Sequence, residues 1–233
     1  ITYEFENVPV EAIDFLNGLG ATVRPGAKAL EMAQDRLIEK QFVQRVGAQT
    51  AAFHAVDDLA SLTAGLEKVG RPAIVKTRRL AWDEVGAAPS IIEGFVPFTA
   101  EISIIGARGS DDDIKLYDPA ENVHRNGILK TSTVPASVSD KTIKKARAVT
   151  RAMLEALDYV GVIGVEFFVL ESGDVIVNEY APRVHNSGHW TQDGCAVSQF
   201  EQHIRAVAGW PLGDPTRHSD AVMENLIGDE AGS

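Results

Sequence analysis

An α+β fold, with strands and helices mixed along the chain rather than in strict βαβ alternation, is predicted from three observations. Apolar residues recur with helical period over 27–46, 57–69, 139–157 and 198–208. β-branched runs such as Ala73-Ile74-Val75-Lys76-Thr77 read instead as strands. Glu171-Ser172-Gly173-Asp174 is a hairpin turn, so at least some neighbouring strands pair without a crossover helix. The chain has 233 residues, 45% of them apolar and 24% charged, enough to bury the core of one large domain or two modest ones.

Residues 1–5 read as a strand, stopped by Asn7-Val8-Pro9, which leaves Glu6 at its carboxyl end. A helix over 11–19 and a short apolar return at 21–23 follow. Leu30, Ala33, Leu37, Phe42 and Val46 fall on one helical face, which predicts a single helix from 27 to 46 with Gly47 as its C-cap. A short strand at 51–56 leads to Asp57-Asp58, the start of a helix that runs to 69 and ends at Gly70. The strand at 73–77 finishes on Lys76, Arg78 and Arg79. Further strands are expected at 90–93, 101–107 and 114–117. Ser139 or Asp140 caps a helix reaching 157. Strands at 162–170 and 175–180 come next, then a helix at 198–208 and a last strand at 225–228. No internal repeat or low-complexity stretch is present.

Several function classes are disfavoured. Lys and Arg number 22 against 33 Asp and Glu, a net charge of −11 that argues against electrostatically driven nucleic-acid binding. No apolar run approaches the roughly 20 residues of a membrane helix. The lone cysteine, Cys195, allows no internal disulfide and fits a reducing compartment. The chain lacks an initiator Met and ends on a polar tail, so material is expected to be missing at both ends.

The most informative segment is 162–180. With Ser172 and Gly173 as a two-residue loop, Glu166 falls directly opposite Glu179 on one face of an otherwise apolar hairpin. Facing like charges cost stability, and a hard cation such as Mg²⁺ removes that cost while keeping positions for phosphate oxygens. For an arbitrary hairpin, solvated or Arg-paired glutamates are the commoner arrangement. Here the segment just past Glu179 packs Arg183, His185, Asn186, His189 and hydroxyls into one loop, a supply of donors for anions. Lys76, at a strand end, is placed for phosphate as a point charge. Glu93 and Glu101 bracket Gly94-Phe95-Val96-Pro97-Phe98, an apolar hinge suited to adenine with a carboxylate beyond it for ribose hydroxyls, although a plain connector reads the same way.

The order Lys76, the 93–101 hinge, Glu166 and Glu179 resembles the ATP-grasp superfamily. More specific is Asn178-Glu179-Tyr180-Ala181-Pro182-Arg183-Val184-His185-Asn186-Ser187-Gly188-His189-Trp190-Thr191, with Ser198-Gln199-Phe200-Glu201. It resembles the 5-(carboxyamino)imidazole ribonucleotide synthase family of purine biosynthesis. Thr2-Tyr3-Glu4-Phe5-Glu6-Asn7-Val8-Pro9, Asp35-Arg36, Lys76-Thr77-Arg78-Arg79 and Glu121-Asn122-Val123-His124 through Gly127-Ile128-Leu129 fit the same family, so the match covers nearly the whole chain.

The resemblance implies an ATP-grasp fold whose two α+β subdomains, at 29–92 and 93–208, clamp ATP. A remnant of an N-terminal α/β domain would occupy 1–28, and 209–233 would start a truncated C-terminal domain. It also implies roles. Lys76 and Arg36 would contact ATP phosphates, Glu93 to Val96 the adenine, largely through backbone, and Glu101 the ribose. Glu166 and Glu179 would hold Mg²⁺, or Mn²⁺ in its place. Arg183, His185 and Asn186 would line the site for bicarbonate and 5-aminoimidazole ribonucleotide, with Glu6 near the imidazole. A cytoplasmic homodimer would consume ATP to join these two substrates.

Three departures matter: the family's Gly-rich first strand and turn are absent upstream of Ile1, its C-terminal domain is cut short at Ser233, and, most telling, a phosphate loop is missing. The family continues Lys-Thr-Arg-Arg into a Gly-rich phosphate loop, whereas here Leu80 runs straight into Ala81-Trp82-Asp83-Glu84-Val85-Gly86. The expectation is a break between Leu80 and Ala81, across residues absent from the chain. A natural deletion there would favour a non-catalytic nucleotide-binding module. The nearest enzyme alternative is another ATP-grasp carboxylase or a formate-activating ligase.

Overall fold

A computed structural model describes residues 1–79 and 88–228. The expected break at Leu80 and Ala81 lies outside the described residues. Two antiparallel sheets organise the described residues. The smaller has the order β1-β3-β2, from β1 (Phe53–Val56), β2 (Ala73–Thr77) and β3 (Ser90–Gly94). Helix α4 (Leu59–Val69) covers it and starts on a capping box, in which Asp58 accepts from the Ser61 N–H at 2.7 Å.

The larger sheet contains β4 (Phe98–Arg108), β5 (Ile114–Leu116), β6 (Ala120–Arg125), β7 (Ile128–Val134), β8 (Gly161–Leu170), β9 (Val175–Ala181) and β10 (Ala221–Glu224). Its order is β10-β7-β6-β4-β8-β9, with β5 paired to β4. β4 and β8 are long and apolar because both their faces are covered. On one face Ile102, Ile104, Ile163, Val165 and Phe167 pack with Met153 and Leu154 of α5 (Asp140–Ala156), and with Phe42 and Val43. On the other, Ile105, Ala107 and Val162 pack with Trp190 and Cys195. Helix α6 (Thr191–Gly194) is a single turn, and helix α7 (Gln199–Ala208) lies against β8. No helix among the described residues is long and apolar enough to cross a membrane.

The expected elements are corrected in five places. Residues 1–5 form no strand. The Ile1 ammonium donates to Thr22 O at 2.8 Å and Arg24 N–H to Ile1 O at 2.9 Å, a local rung that no ladder extends. The first helix is α1 (Val10–Gly18), close to expectation. The single helix over 27–46 is instead two, α2 (Ala27–Ala33) and α3 (Arg36–Arg45). Asp35 breaks it: its carboxylate caps α3 by accepting from the N–H groups of Leu37 and Ile38, at 2.9 and 3.3 Å. The same carboxylate takes a fork from Arg78, 2.7 Å at Nη2, which ties the start of α3 to the end of β2. The apolar period runs through this cap, so periodicity alone does not reveal it.

The hairpin β6–β7 has no counterpart in the sequence reading. Its turn is Asn126-Gly127, both left-handed at φ 53° and 76°, the two-residue turn that matches strand twist. β10 lies upstream of the expected 225–228 strand. The fifth correction, to the loop between β8 and β9, belongs with the site below.

His203 of α7 pins the N-terminal segment to β8. Its Nδ1 accepts from Val162 N–H at 3.1 Å, which leaves the proton on Nε2, 2.8 Å from Thr2 Oγ1. Burial pushes its pKa from 6.5 down to about 4. The unfolded chain therefore takes up this proton first as pH falls. The stability held by neutral His203 is intact above about pH 6.5 and lost progressively toward pH 4, up to roughly 3 kcal/mol. Denaturant midpoints should fall over that window, and more shallowly for His203→Gln. Parallel profiles would contradict the assignment.

Candidate active site

The hairpin β8–β9 does place Glu166 opposite Glu179, but by a different route from the one expected. The loop is three residues long, Glu171-Ser172-Gly173. Leu170 N–H donates to Asp174 O at 2.9 Å, and Gly173 adopts φ 75°. Val169 then pairs with Val175 and Phe167 with Val177, a register that would set Glu166 against Asn178. A bulge intervenes on β9: Asn178 is the extra residue, and pairing resumes at Glu166 and Glu179. Ser103 of β4 is the partner of Glu166 on its other side, so Ser103, Glu166 and Glu179 form one row across three strands.

The two carboxylates titrate in opposite directions. Burial, and then the charge of Glu179, push Glu166 up to about 7. Burial acts to raise Glu179 too, but Arg36, with Nη1 3.0 Å from Oε2, outweighs it and holds Glu179 below the ordinary glutamate range. Ser103 Oγ and Asn178 Oδ1 are buried and have no hydrogen-bond partner. This oxygen-rich donor set fits a hard divalent cation. Among the described residues no group of three or more His, Cys, Asp or Glu could hold a metal. Two carboxylates completed by phosphate oxygens are the arrangement Mg²⁺ takes with nucleotides.

Cationic groups converge from the smaller sheet and α3. Lys76 Nζ lies 3.4 Å from Glu93 Oε1, and Lys40 Nζ lies 3.1 Å from Oε2 of the same carboxylate. The Glu93 side chain is buried between them, and its backbone lies in the central strand, paired with Phe53 of β1 and Ile74 of β2. In the hinge, Gly94 N–H donates to Ala52 O and Phe95 N–H to Pro72 O, at 2.8 and 3.1 Å, while Val96 is buried beside them. Glu101, on β4, forms an ion pair with His124, 3.1 Å from Nδ1 to Oε2. That contact holds His124 above the ordinary histidine range against the opposing effect of burial.

Glu6 and Arg183, far apart in sequence, meet in a two-pronged pair with Nη2 3.1 Å from Oε1. The pair lines two adjoining clefts. One includes Arg36, Glu166, Glu179 and His185; the other includes Phe5, Asn186, His189 and Phe200. His185 caps a short 3-10 turn, Asn186–Gly188, by accepting from Ser187 N–H at Nδ1. Its Nε2 therefore carries the proton, 3.7 Å from Glu166 Oε1. Burial, then the Arg183 charge, push His185 down to about 4, so it is neutral at physiological pH.

Two residues position this loop. Gln199 grips His185 from both sides, accepting from its N–H at 2.9 Å and donating to its carbonyl at 2.7 Å. Gly164 leaves the room: a Cβ there would sit 2.6 Å from His185 Cβ. Gly164→Ala should cost about 1–3 kcal/mol and displace the imidazole, lowering kcat as well as the melting temperature. An unchanged kcat would show that the placement of His185 is immaterial.

All the residues singled out in the sequence except those of the 93–96 hinge and Glu101 thus border the two adjoining clefts or, like Lys76, approach them through a neighbour. Glu39, Lys40, Asp35, His124 and Gln199 were not assigned roles. A usable signal existed for two of them: Glu39 and Lys40 follow Arg36 at helical spacings of three and four, on a face that meets β9.

A lysine-bearing small sheet set against an antiparallel sheet with a carboxylate pair defines a nucleotide-clamping ligase. Consistently, the ATP-grasp domain family matches residues 81–200. An N5-carboxyaminoimidazole ribonucleotide synthase of Brucella melitensis is 53% identical over 250 positions, covering 99% of this chain and 69% of the relative. This chain belongs to the N5-carboxyaminoimidazole ribonucleotide synthase family. The synthetase structure from Thermus thermophilus superimposes with a TM-score of 0.92 at 48% identity, over 97% of this chain and 66% of that one. The Aspergillus clavatus enzyme, solved in complex with ADP and 5-aminoimidazole ribonucleotide, gives 0.90 at 28% identity, over 97% and 65%. The chain thus spans about two thirds of the length of these relatives. The Brucella alignment is longer than the chain itself, so that relative has residues with no counterpart here.

Proposed function

We propose that this chain carries out the ATP-dependent carboxylation of 5-aminoimidazole ribonucleotide by bicarbonate, giving 5-(carboxyamino)imidazole ribonucleotide, ADP and phosphate. The observation that carries the reading is the Glu166–Glu179 pair at the floor of a cleft that also holds Arg36, Arg183 and His185. Bicarbonate is a poor electrophile. Transfer of the γ-phosphoryl group to one of its oxygens makes carboxyphosphate, an anhydride whose carbon the exocyclic amine can attack. A C–N bond then forms, phosphate departs from carbon, and the amine loses a proton.

The residues divide this work. Arg36 and Lys76 neutralise phosphate charge, the hinge from Glu93 to Val96 seats the base, largely through backbone groups, and Glu101 takes the ribose hydroxyls. Glu166 and Glu179 would hold Mg²⁺, with Mn²⁺ as a substitute; the ion would stabilise charge on the transferring phosphoryl group. Neutral His185 has an Nε2–H to offer a bicarbonate oxygen. Arg183 supplies directed donors to the same anion, and Glu6 orients Arg183 while facing the amine side. Asn186 Oδ1, buried and unpaired, is a further acceptor there.

The ATP clamp would divide into 29–92 and 93–208; the change of sheet, after β3 ends at Gly94 and before β4 starts at Phe98, falls just beyond that boundary. The segments 1–28 and 209–233 would then be parts of flanking domains. Cytoplasmic residence, which the free, buried Cys195 suits, and a homodimer belong to the same reading.

ADP release measured with each component omitted in turn tests the reading. Release should require ATP, bicarbonate and the aminoimidazole ribonucleotide together. ADP release driven equally well by formate, or by no carboxyl donor, would favour a different ligase of the superfamily.

A further inference from the structure

We propose that one face of α3 is a positioning device for Glu179: Glu39 and Lys40 hold the peptide groups on either side of it, and Glu93 links that grip to Lys76. The proposal rests on the metal and nucleotide reading above. β9 is the edge of the larger sheet, so its outward N–H and C=O groups need partners from elsewhere. Val177 N–H finds one in Gln49 O at 2.8 Å, and the bridge from Thr50 ends there. Past the bulge, side chains take over. Lys40 Nζ donates to Asn178 O, and Tyr180 N–H donates to Glu39 Oε1, both at 2.7 Å. Arg36, on the same helical face, meets the Glu179 carboxylate itself. Three side chains at i, i+3 and i+4 thus fasten three consecutive residues, with Glu179 in the middle.

Two features make this more than edge capping. Lys40 is 1% exposed and Glu39 3%, and burying such groups costs more than an apolar pair would. The second partner of Lys40 is Glu93, whose other oxygen faces Lys76. The contacts therefore run unbroken from the lysine assigned to phosphate, through Glu93 and Lys40, to the carbonyl preceding Glu179. Movement of the smaller sheet would carry the Glu179 backbone with it, so the metal carboxylate and the phosphate lysine stay in register.

The test is the ratio of ADP affinities measured calorimetrically with Mg²⁺ and with EDTA. Lys40→Met with Glu93→Gln removes one charge of each sign, and Glu93→Gln alone is its reference. Glu39→Met removes the acceptor for Tyr180 N–H, and Glu39→Gln keeps it. Lys40→Met/Glu93→Gln should lower the Mg²⁺ ratio about 10-fold against its reference, and Glu39→Met similarly against wild type. Glu39→Gln should retain the wild-type ratio. Either apolar variant that folds, judged by its melting curve, decides the matter. Lowered melting temperature with an unchanged ratio would make these residues edge caps and overturn the proposal alone. A wild-type protein whose ADP affinity ignores Mg²⁺ would overturn the metal assignment and the proposal together.

Discussion

Glu179→Gln should lower kcat by at least about 100-fold, equivalent to roughly 3 kcal/mol of lost transition-state stabilisation. Glu166→Gln should act in the same direction. The fold should survive both. Each substitution relieves a like-charge pair directly opposed across β8 and β9, and the amide is close in size to the carboxylate. In Glu179→Gln the Arg36 guanidinium loses its anionic partner, a modest loss because the Glu179 side chain is 40% exposed to the cleft. Steady-state rates at saturating ATP and Mg²⁺, paired with melting curves, check this. A kcat within about 3-fold of wild type in both variants would remove the pair from the reaction.

Arg183→Lys should lower kcat/KM for the aminoimidazole ribonucleotide by about 100-fold while leaving the KM for ATP within about 3-fold. The guanidinium engages Glu6 through Nε and Nη2 and its own loop through Nη1, 3.0 Å from Val184 O. A lysine offers one point of charge and cannot hold that geometry. The Glu6–Arg183 pair borders both clefts, so its loss should uncouple the carboxyl donor from the amine rather than disturb the nucleotide. An equal rise in the KM for ATP would place the loop on the phosphates instead.

The site was legible in the sequence where chemistry is carried by residue type, and less so where it depends on backbone irregularity. The opposition of Glu166 and Glu179 was inferred from a two-residue loop. The observed arrangement has a three-residue loop and a bulge at Asn178, two shifts of register that compensate each other. Nothing in Val177-Asn178-Glu179 announces a bulge, which falls where side chains of α3 meet the backbone of Asn178 and Tyr180. Likewise the continuous apolar spacing over 27–46 hides the cap at Asp35, because α2 and α3 present their apolar residues to the same core. Asn126-Gly127 is the opposite case, a strong local turn signal that by itself marks the β6–β7 hairpin. The fold class and most helices followed from periodicity, which survives such local breaks. Glu39 and Lys40 resisted assignment because charged side chains on a helix are ordinarily solvated, and only the edge of β9 makes their burial useful.

The most direct measurement is the fate of heavy oxygen supplied in bicarbonate. If ATP activates bicarbonate within this site, phosphate released during a single rapid turnover, before exchange with water, should carry one oxygen from bicarbonate. The carboxylated product should form in equal amount. Phosphate free of the label, alongside product formation, would mean that bicarbonate is never phosphorylated, and would contradict the account at its centre.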